Sequence, residues 1–261
     1  ASSGKMVYAF MQNEMLQDTA KQDGKTAPMG SEKTDPRLLP AADAAAKTPI
    51  HQHVYERLRK MILFGDLAPG QGVTIQGLTA ALDAGMTPVR EAIRRLISEG
   101  ALTHLGNRRV TVPELTHAGL EELRFMRETL EPELTKRAAN RMTDERLNAL
   151  KACDNALNHA IDRGDVGGYL MQNYSFHRMI YDLAEAPIMA ATVDRLWLRF
   201  GPSLRVVCGR YGTSNLPDKH AELLAAFAEG NAALAGEVMA GDVAQGMTQI
   251  RAALDGLPVP R

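Results

Sequence analysis

Apolar residues recur with a helical period through much of this 261-residue chain. From Pro49 onwards the pattern predicts three short helices, of which the first ends at Gly65 and the second is capped by Thr74. The third helix is predicted to begin with Thr87 as its N-cap and Pro88 as its first helical residue, where a missing N–H costs nothing. The close spacing of the three helices indicates one small helical unit.

The third predicted helix has one apolar and one basic face. Its apolar face is formed at helical spacing by Val89, Ile93, Leu96 and Ile97. Its other face carries Arg90, Arg94 and Arg95, and Glu91 is predicted to lie in the first turn, where the helix dipole favours an anion. Guanidinium groups match phosphate oxygens and the acceptor pair of guanine, so this face suits DNA recognition. Taken alone, the helix could equally be an ordinary amphipathic helix with a solvated face.

The segment after Gly100 changes from a helical to an alternating pattern. Residues 102–105 and 110–112 predict a two-stranded hairpin whose tip carries Arg108 and Arg109. Three short helices followed by a basic hairpin form a winged helix-turn-helix, in which the third helix enters the major groove of DNA. We therefore predict a DNA-binding domain over residues 48–112.

The rest of the chain predicts an all-helical, antiparallel bundle of six to seven helices over residues 113–261, which makes the fold class mainly α. A short linker leads to Thr116, which is predicted to cap the first long helix. The further predicted helices span residues 142–163, 166–184, 188 to about 207, 219–227 and 232–254.

Arg127 lies within the apolar stripe of the first bundle helix. A buried cation needs a partner, and Glu131 at i+4 is positioned to provide one. Two interpretations remain open: a structural ion pair, or an anchor for an anionic effector.

Charge is distributed unevenly along the chain. The net charge is −1, while residues 48–112 contain eight Lys or Arg against five acidic residues, so the remainder is net acidic. This balance argues against indiscriminate coating of nucleic acid and favours a basic DNA-facing module on an acidic body. Residues 1–47, polar and interrupted by prolines, predict a flexible arm.

Neither a membrane span nor a secretory signal is evident, which predicts a cytoplasmic protein. Cys153 and Cys208 lack the spacing of a metal motif, and we expect both to be reduced structural thiols.

The predicted DNA-binding domain resembles the GntR family of bacterial transcription regulators. The resemblance is carried by Val54-x3-Leu58-Arg59, Leu78-x3-Leu82 and Thr87-Pro88-Val89-Arg90-Glu91-Ala92-x-Arg94-Arg95-Leu96-x2-Glu99-Gly100. It implies a DNA-binding set comprising Thr87, Arg90, Arg94, Arg95, Gly106, Asn107 and Arg108. Gly85-Met86 stands where the family usually has Ser-Arg, so the operator sequences of relatives do not transfer to this chain.

The later segment resembles the FCD-type effector domain of the FadR-like subfamily. Asn173 and His177 lie four residues apart, in Asn173-Tyr174-Ser175-Phe176-His177, and so share one helix face. The resemblance implies that His177, His220 and Asp242, beside Asn173, hold a divalent metal such as zinc, nickel or manganese. Asn173 stands where the family usually has Asp, and Asp242 stands where it usually has a third His. Two imidazoles and one carboxylate still form a suitable donor set.

Together these features predict a metabolite-responsive transcription regulator and not an enzyme. The resemblance implies a homodimeric repressor that leaves a palindromic operator when a small carboxylate effector binds the bundle. A different class of function is a metal-dependent hydrolase, because two His and one carboxylate could activate water; no separate general base is evident from spacing. A third is an effector-free DNA-binding protein, which the polar residues on the apolar faces of the bundle argue against.

Overall fold

The computed structural model describes residues 50–106, 109–211 and 219–257. The predicted arm, residues 1–47, lies outside these ranges, and so do Asn107 and Arg108 at the predicted wing tip. In the described part the chain is mainly α, with a winged helix-turn-helix followed by a helical bundle, as predicted. None of the described helices combines the length and the hydropathy needed to cross a membrane.

The winged helix-turn-helix contains three helices and three short strands. In chain order they are α1 (Ile50–Leu63), β1 (Gly72–Thr74), α2 (Ile75–Leu82), α3 (Met86–Ser98), β2 (Thr103–His104) and β3 (Arg109–Thr111). Thr74 caps α2 as predicted, because its hydroxyl accepts a hydrogen bond from the backbone N–H of Gly77. The predicted apolar face of α3 is buried at Val89, Ile93 and Leu96.

The start of α3 differs from the prediction. Its N-cap is Gly85 and not Thr87, and the helix begins at Met86. The reason is the preceding turn: Asp83, at φ 46°, already ends α2 in the left-handed region, which leaves Gly85 as the extended residue before α3. Glu91 therefore lies beyond the first turn, and the prediction that it interacts with the helix dipole there was wrong.

The strands form one antiparallel sheet in the order β1-β3-β2. The predicted hairpin is confirmed as β2 and β3, but β1 was not predicted. Three residues are too few to show an alternating pattern, and β1 becomes a strand only because Val73 pairs with Val110 of the hairpin.

The bundle contains six helices in the described residues, within the predicted number. They are α4 (His117–Ala139), α5 (Asp144–Asp162), α6 (Val166–Leu183), α7 (Pro187–Tyr211), α8 (Lys219–Ala228) and α9 (Ala232–Leu254). Thr116 caps α4 as predicted. Helix α5 begins two residues later than predicted, because Thr143 caps it, and α7 runs on past the predicted end. Helix α4 packs along α9, and α5 packs against α6.

The winged helix is joined to the bundle by packing as well as by the linker. Helix α1 lies against α7, where a β-carbon on Gly201 would be 2.5 Å from the carbonyl oxygen of Leu63. Arg59 of α1 forms an ion pair with Asp194 of α7, with 2.7 Å between Nη2 and Oδ2. Most of the buried apolar residues of both parts belong to one hydrophobic cluster. Helix α7 is thus the element on which the winged helix rests.

Candidate DNA interface and candidate metal centre

The exposed face of α3 carries the residues predicted to contact DNA. Thr87, Arg90 and Arg94 are all exposed. Arg94 is held by Glu91, with 2.7 Å between Nη1 and Oε1. Among the described residues, Arg90 has no hydrogen-bonding or ionic partner. Its guanidinium is therefore available for an external acceptor, such as a phosphate or a guanine edge.

Arg95 lies differently from the other two arginines. Its guanidinium carbon is 3.6 Å from the ring centre of Tyr55 on α1, and its Nε lies 3.1 Å from Oε1 of Glu99. The hydroxyl of Tyr55 donates to the same carboxylate, at 2.9 Å. Burial, helped by Glu99, raises the pKa of Tyr55 to about 12. Arg95 is engaged within the domain, and its contact with DNA stays a prediction.

At the wing, Gly106 has a φ of 72° and lies between β2 and β3. The backbone N–H of Arg109 donates to its carbonyl at 2.9 Å, which closes the turn. The left-handed backbone favours glycine here. The other predicted wing contacts, Asn107 and Arg108, fall outside the described residues.

In the bundle, the fold brings together three residues of the predicted metal set. His177 on α6, His220 on α8 and Asp242 on α9 each offer one donor atom, and these atoms lie within 4.8 Å of one another. Both histidines are buried, while Asp242 is partly accessible. A cavity of about 50 Å³ adjoins this site and is lined by His177 and Asp242. Asn173, one turn before His177, also lines it.

A buried carboxylate, that of Asp154, holds the Nδ1 atom of His220. Nδ1 of His220 lies 3.2 Å from Oδ1 of Asp154, and Asn158 donates to the other oxygen of that carboxylate. Phe176 stacks on the imidazole ring, with 4.0 Å between ring centres. Because a carboxylate accepts, Nδ1 carries the proton, and Nε2 keeps a free lone pair for a metal.

A longer chain of hydrogen bonds orients His177. The Tyr181 hydroxyl donates to Oε2 of Glu131 at 2.6 Å, and its oxygen lies 3.1 Å from Nδ1 of His177. Burial, together with the Glu131 charge, raises the pKa of Tyr181 well above its ordinary value, so the hydroxyl keeps its proton. Since that proton is directed at Glu131, the Tyr181 oxygen accepts from Nδ1–H of His177. The Nε2 lone pair then faces the candidate metal centre.

The facing donors of His177 and Asp242 fit a bound cation. Nε2 of His177 lies 3.3 Å from Oδ2 of Asp242. A lone pair and a carboxylate at this distance require a positive group between them, either a proton or a metal ion. When a proton fills this position, Nε2–H of His177 donates to Asp242. Burial opposes the charge of Asp242, but this hydrogen bond and the charges of protonated His177, protonated His220 and Arg127 outweigh burial and lower the pKa of Asp242 to about 2, so the carboxylate stays ionised. The side chains present therefore suit a divalent ion.

Arg127 forms the predicted ion pair with Glu131. Its Nε and Nη2 lie 2.5 and 3.1 Å from the two oxygens of the carboxylate, and both side chains are buried. The guanidinium also lies over the ring of Phe200, 3.9 Å from its centre. Nε and Nη2 of Arg127 are directed at Glu131, and the side chain also lines the cavity, so its contact with an anionic effector stays a prediction.

The supporting residues were only partly visible in the sequence. Tyr181 lies one turn after His177, a spacing that indicates a shared helix face. Asp154 has no local relation to His220, because 66 residues separate them. Trp197, whose ring centre is 5.3 Å from that of His177, likewise gave no local signal.

Comparisons with known proteins agree with the two-part fold. Residues 50–112 match the bacterial regulatory proteins of the gntR family, and residues 122–245 match the FCD domain. The HTH-type transcriptional regulator McbR of Escherichia coli K12 is 30% identical over 166 residues, which cover 64% of this chain and 75% of that protein. The HTH-type transcriptional repressor RspR of the same organism is 24% identical over 148 residues, which cover 57% of this chain and 65% of RspR.

Solved structures show the same fold. The structure of E. coli McbR/YncC has a TM-score of 0.75 and 26% identity, covering 80% of this chain and all of that one (100%). A structure from Rhodococcus sp. RHA1, described as a transcriptional regulator GntR, has a TM-score of 0.68 and 23% identity, covering 79% of this chain and 99% of the other. The chain thus belongs to the GntR family of bacterial transcription regulators, with a DNA-binding winged helix-turn-helix followed by an FCD domain.

Proposed function

We propose that this regulator is a homodimeric repressor of the FadR-like subfamily, released from a palindromic operator by a small carboxylate effector. Residues 48–112 bind DNA, and residues 113–261 bind the effector and dimerise; no role is assigned to residues 1–47. The observation that carries the proposal is the closely spaced donor set of His177, His220 and Asp242, in a bundle against which the winged helix packs.

His177, His220 and Asp242 hold a zinc, nickel or manganese ion, with Asn173 beside them. When bound, the ion supplies a Lewis-acid position for a carboxylate oxygen of the effector. Asp154 and Tyr181 keep the Nε2 lone pairs of the two histidines directed at the site. The cavity of about 50 Å³ in this conformation supports a small acid as the ligand.

Effector binding reaches the winged helix through α7. Trp197 contacts His177 on one side and Tyr174 on the other, with 5.3 and 5.4 Å between ring centres. The Tyr174 hydroxyl donates to Asp194 at 2.5 Å, and Asp194 pairs with Arg59 of α1. A ligand that displaces Trp197 therefore acts on the contact that orients the winged helix. The coupling requires unequal effector affinity for the DNA-bound and free arrangements.

Two copies of the chain bind the operator together. One recognition helix reads only a few base pairs, and two-fold symmetry doubles the contacts. The copies pair through α4, where Phe125 is 72% exposed and Met126 36% exposed, beside a cleft lined by Leu115, Leu123 and Leu196. A large apolar side chain in this position favours a protein partner.

A combined metal and effector experiment tests this proposal. Chelator-treated protein is titrated with zinc, nickel and manganese, and its thermal unfolding is followed with and without a panel of organic acids. We expect about one ion per chain to bind and raise the melting temperature, and one acid to add to this shift and release DNA in gel-shift assays.

The double variant with His177→Ala and His220→Ala should lose both responses but still bind DNA. His159→Ala, an exposed histidine on α5, is the control and should behave as the wild type. Wild-type protein that takes up no metal, or an effector response that persists in the double variant, would refute the proposed site. Hydrolysis is the competing function of the same donor set, and a separate assay of the metal-loaded protein with ester and amide substrates detects it as metal-dependent consumption of the substrate.

A further inference from the structure

One large apolar side chain stands on the DNA-facing side of α3. Met86 is the first residue of the helix and is 46% exposed. It lies one turn before Arg90, so both side chains share a face with the exposed Thr87 and Arg94. The buried residues of α3, Val89, Ala92, Ile93 and Leu96, lie on the other side.

Met86 does not contribute to the core. The hydrophobic cluster and the residues packed against it include Ala84 before the helix and Ile97 near its end, but not Met86. Because Met86 is the first residue of the helix, interior helix propensity does not explain its presence either. Folding therefore gives no reason for a long apolar side chain here, which directs attention to binding.

The position of Met86 limits what it can contact. In a helix-turn-helix, residues at the N-terminal end of the recognition helix approach the base edges. A thioether is a poor partner for a charged phosphate, and a methionine side chain donates no hydrogen bond. The apolar group that a base edge presents in the major groove is the C5 methyl of thymine. The flexible and polarisable methionine side chain can adapt to that methyl group.

We infer that Met86 is a sequence-specificity residue that contacts the C5 methyl group of one thymine in each operator half-site. The inference rests on the proposed binding of two recognition helices to a two-fold operator. Arg90 supplies the polar contact one turn further along the same face, and Met86 makes the operator prefer a T·A pair at its own position.

The test removes the methyl group from the DNA and the side chain from the protein in turn. The full chain first selects its preferred sequence from a library of random DNA duplexes. Each symmetric pair of thymidines in the selected duplex is then replaced by deoxyuridine, and affinities are measured by fluorescence anisotropy for the wild type, Met86→Ala and Met171→Ala. Met171 is the control, because it is also an exposed methionine, 49% accessible, but on α6 of the bundle.

For one thymidine position, deoxyuridine should weaken binding of the wild type and of Met171→Ala by about fourfold per half-site, as expected for one buried methyl group. Met86→Ala should bind the duplex with thymidine and the duplex with deoxyuridine at that position equally well. In a separate selection from the random library, the sequence preferred by Met86→Arg should have guanine in place of thymine at that position, because an arginine fork matches the guanine acceptors.

The possible outcomes are distinguishable. If Met86→Ala keeps the full deoxyuridine penalty, or if no thymidine of the selected duplex shows one, Met86 does not read a thymine methyl group. An unchanged base preference of Met86→Arg would also overturn the inference. If the wild type enriches no sequence at all, the proposed operator binding fails together with it.

Discussion

At the scale of single residues, the basic face of α3 separates into arginines with different surroundings. Arg90 is free of partners among the described residues, Arg94 shares its charge with Glu91, and Arg95 is held between Tyr55 and Glu99. A guanidinium that already has an acceptor must give it up to bind DNA, whereas a free one does not. Arg90 is therefore the strongest candidate for an operator contact.

Replacing Arg90 by Ala should weaken operator binding by about 1–3 kcal/mol without changing the thermal stability of the protein. The selected duplex described above serves as the probe in gel-shift titrations over a range of salt concentrations. Arg137→Ala, an exposed arginine on α4, is the control. Unchanged affinity and an unchanged salt dependence would remove Arg90 from the set of DNA contacts.

The hydroxyl of Tyr55 provides a prediction about pH. Burial and Glu99 raise its pKa to about 12 from an ordinary value of 10.0. Because the pKa is higher in the folded protein, the stabilisation is complete below pH 10 and declines as the pH rises towards 12. The free energy of unfolding of Tyr55→Phe should therefore be lower than that of the wild type below pH 10, and the difference should shrink above it. Urea unfolding at pH 8, 10 and 11 measures this, and a difference independent of pH would contradict it.

At the scale of elements, α7 connects the winged helix to the candidate metal centre. Gly201 allows α1 to approach closely, because any side chain would meet the carbonyl oxygen of Leu63. Gly209 lies on the same helix, and no atom of the described residues lies within 4 Å of its would-be β-carbon. Substitution of Gly209 therefore measures the effect of helix propensity, and substitution of Gly201 measures how strongly the contact with α1 and the following Pro202 constrain α7.

Gly209→Ala should raise the free energy of unfolding by up to about 1 kcal/mol, because Ala favours a helix. Gly201→Ala must move a backbone oxygen, and Pro202 after it disfavours helical backbone for a residue with a β-carbon, so it should destabilise the protein by about 1–2 kcal/mol. Chemical denaturation of both variants decides the sign. Equal stabilisation by the two substitutions would show that the close approach does not constrain α7.

At the scale of the whole molecule, the proposed dimer has the two-fold symmetry of the proposed operator. Its proposed interface is an exposed apolar surface on α4. The α4 side chain of Phe125 is 72% exposed, which is costly for an isolated chain and favourable at an interface. Ile188, 84% exposed at the start of α7, offers a comparison outside this surface.

Phe125→Glu should convert the protein from dimer to monomer and reduce operator affinity by at least about tenfold, since each half-site then binds alone. Ile188→Glu should leave both the dimer and the affinity intact. Analytical ultracentrifugation gives the oligomeric state. A dimer that persists in Phe125→Glu would place the interface elsewhere on the molecule.

Much of the fold follows from patterns within short segments. The helical period of Val89, Ile93 and Leu96 predicts both the existence of α3 and its buried face, and Thr74 and Thr116 mark the starts of two other helices. These signals are local, because helix formation depends on neighbours three and four residues apart. The start of α3 was predicted wrongly because Asp83, outside the helix, set the geometry of the turn.

The sequence by itself determined the mainly α fold class and the winged helix-turn-helix, and its resemblance to the FCD-type domain indicated His177, His220 and Asp242 as the candidate metal set. Only the tertiary structure decided that their donor atoms meet, that Asp154 and Tyr181 orient the histidines, and that Arg95 packs on Tyr55. The physical reason is distance along the chain. Periodicity and capping are properties of one segment, whereas these contacts join helices that are far apart in sequence and meet only when the core packs.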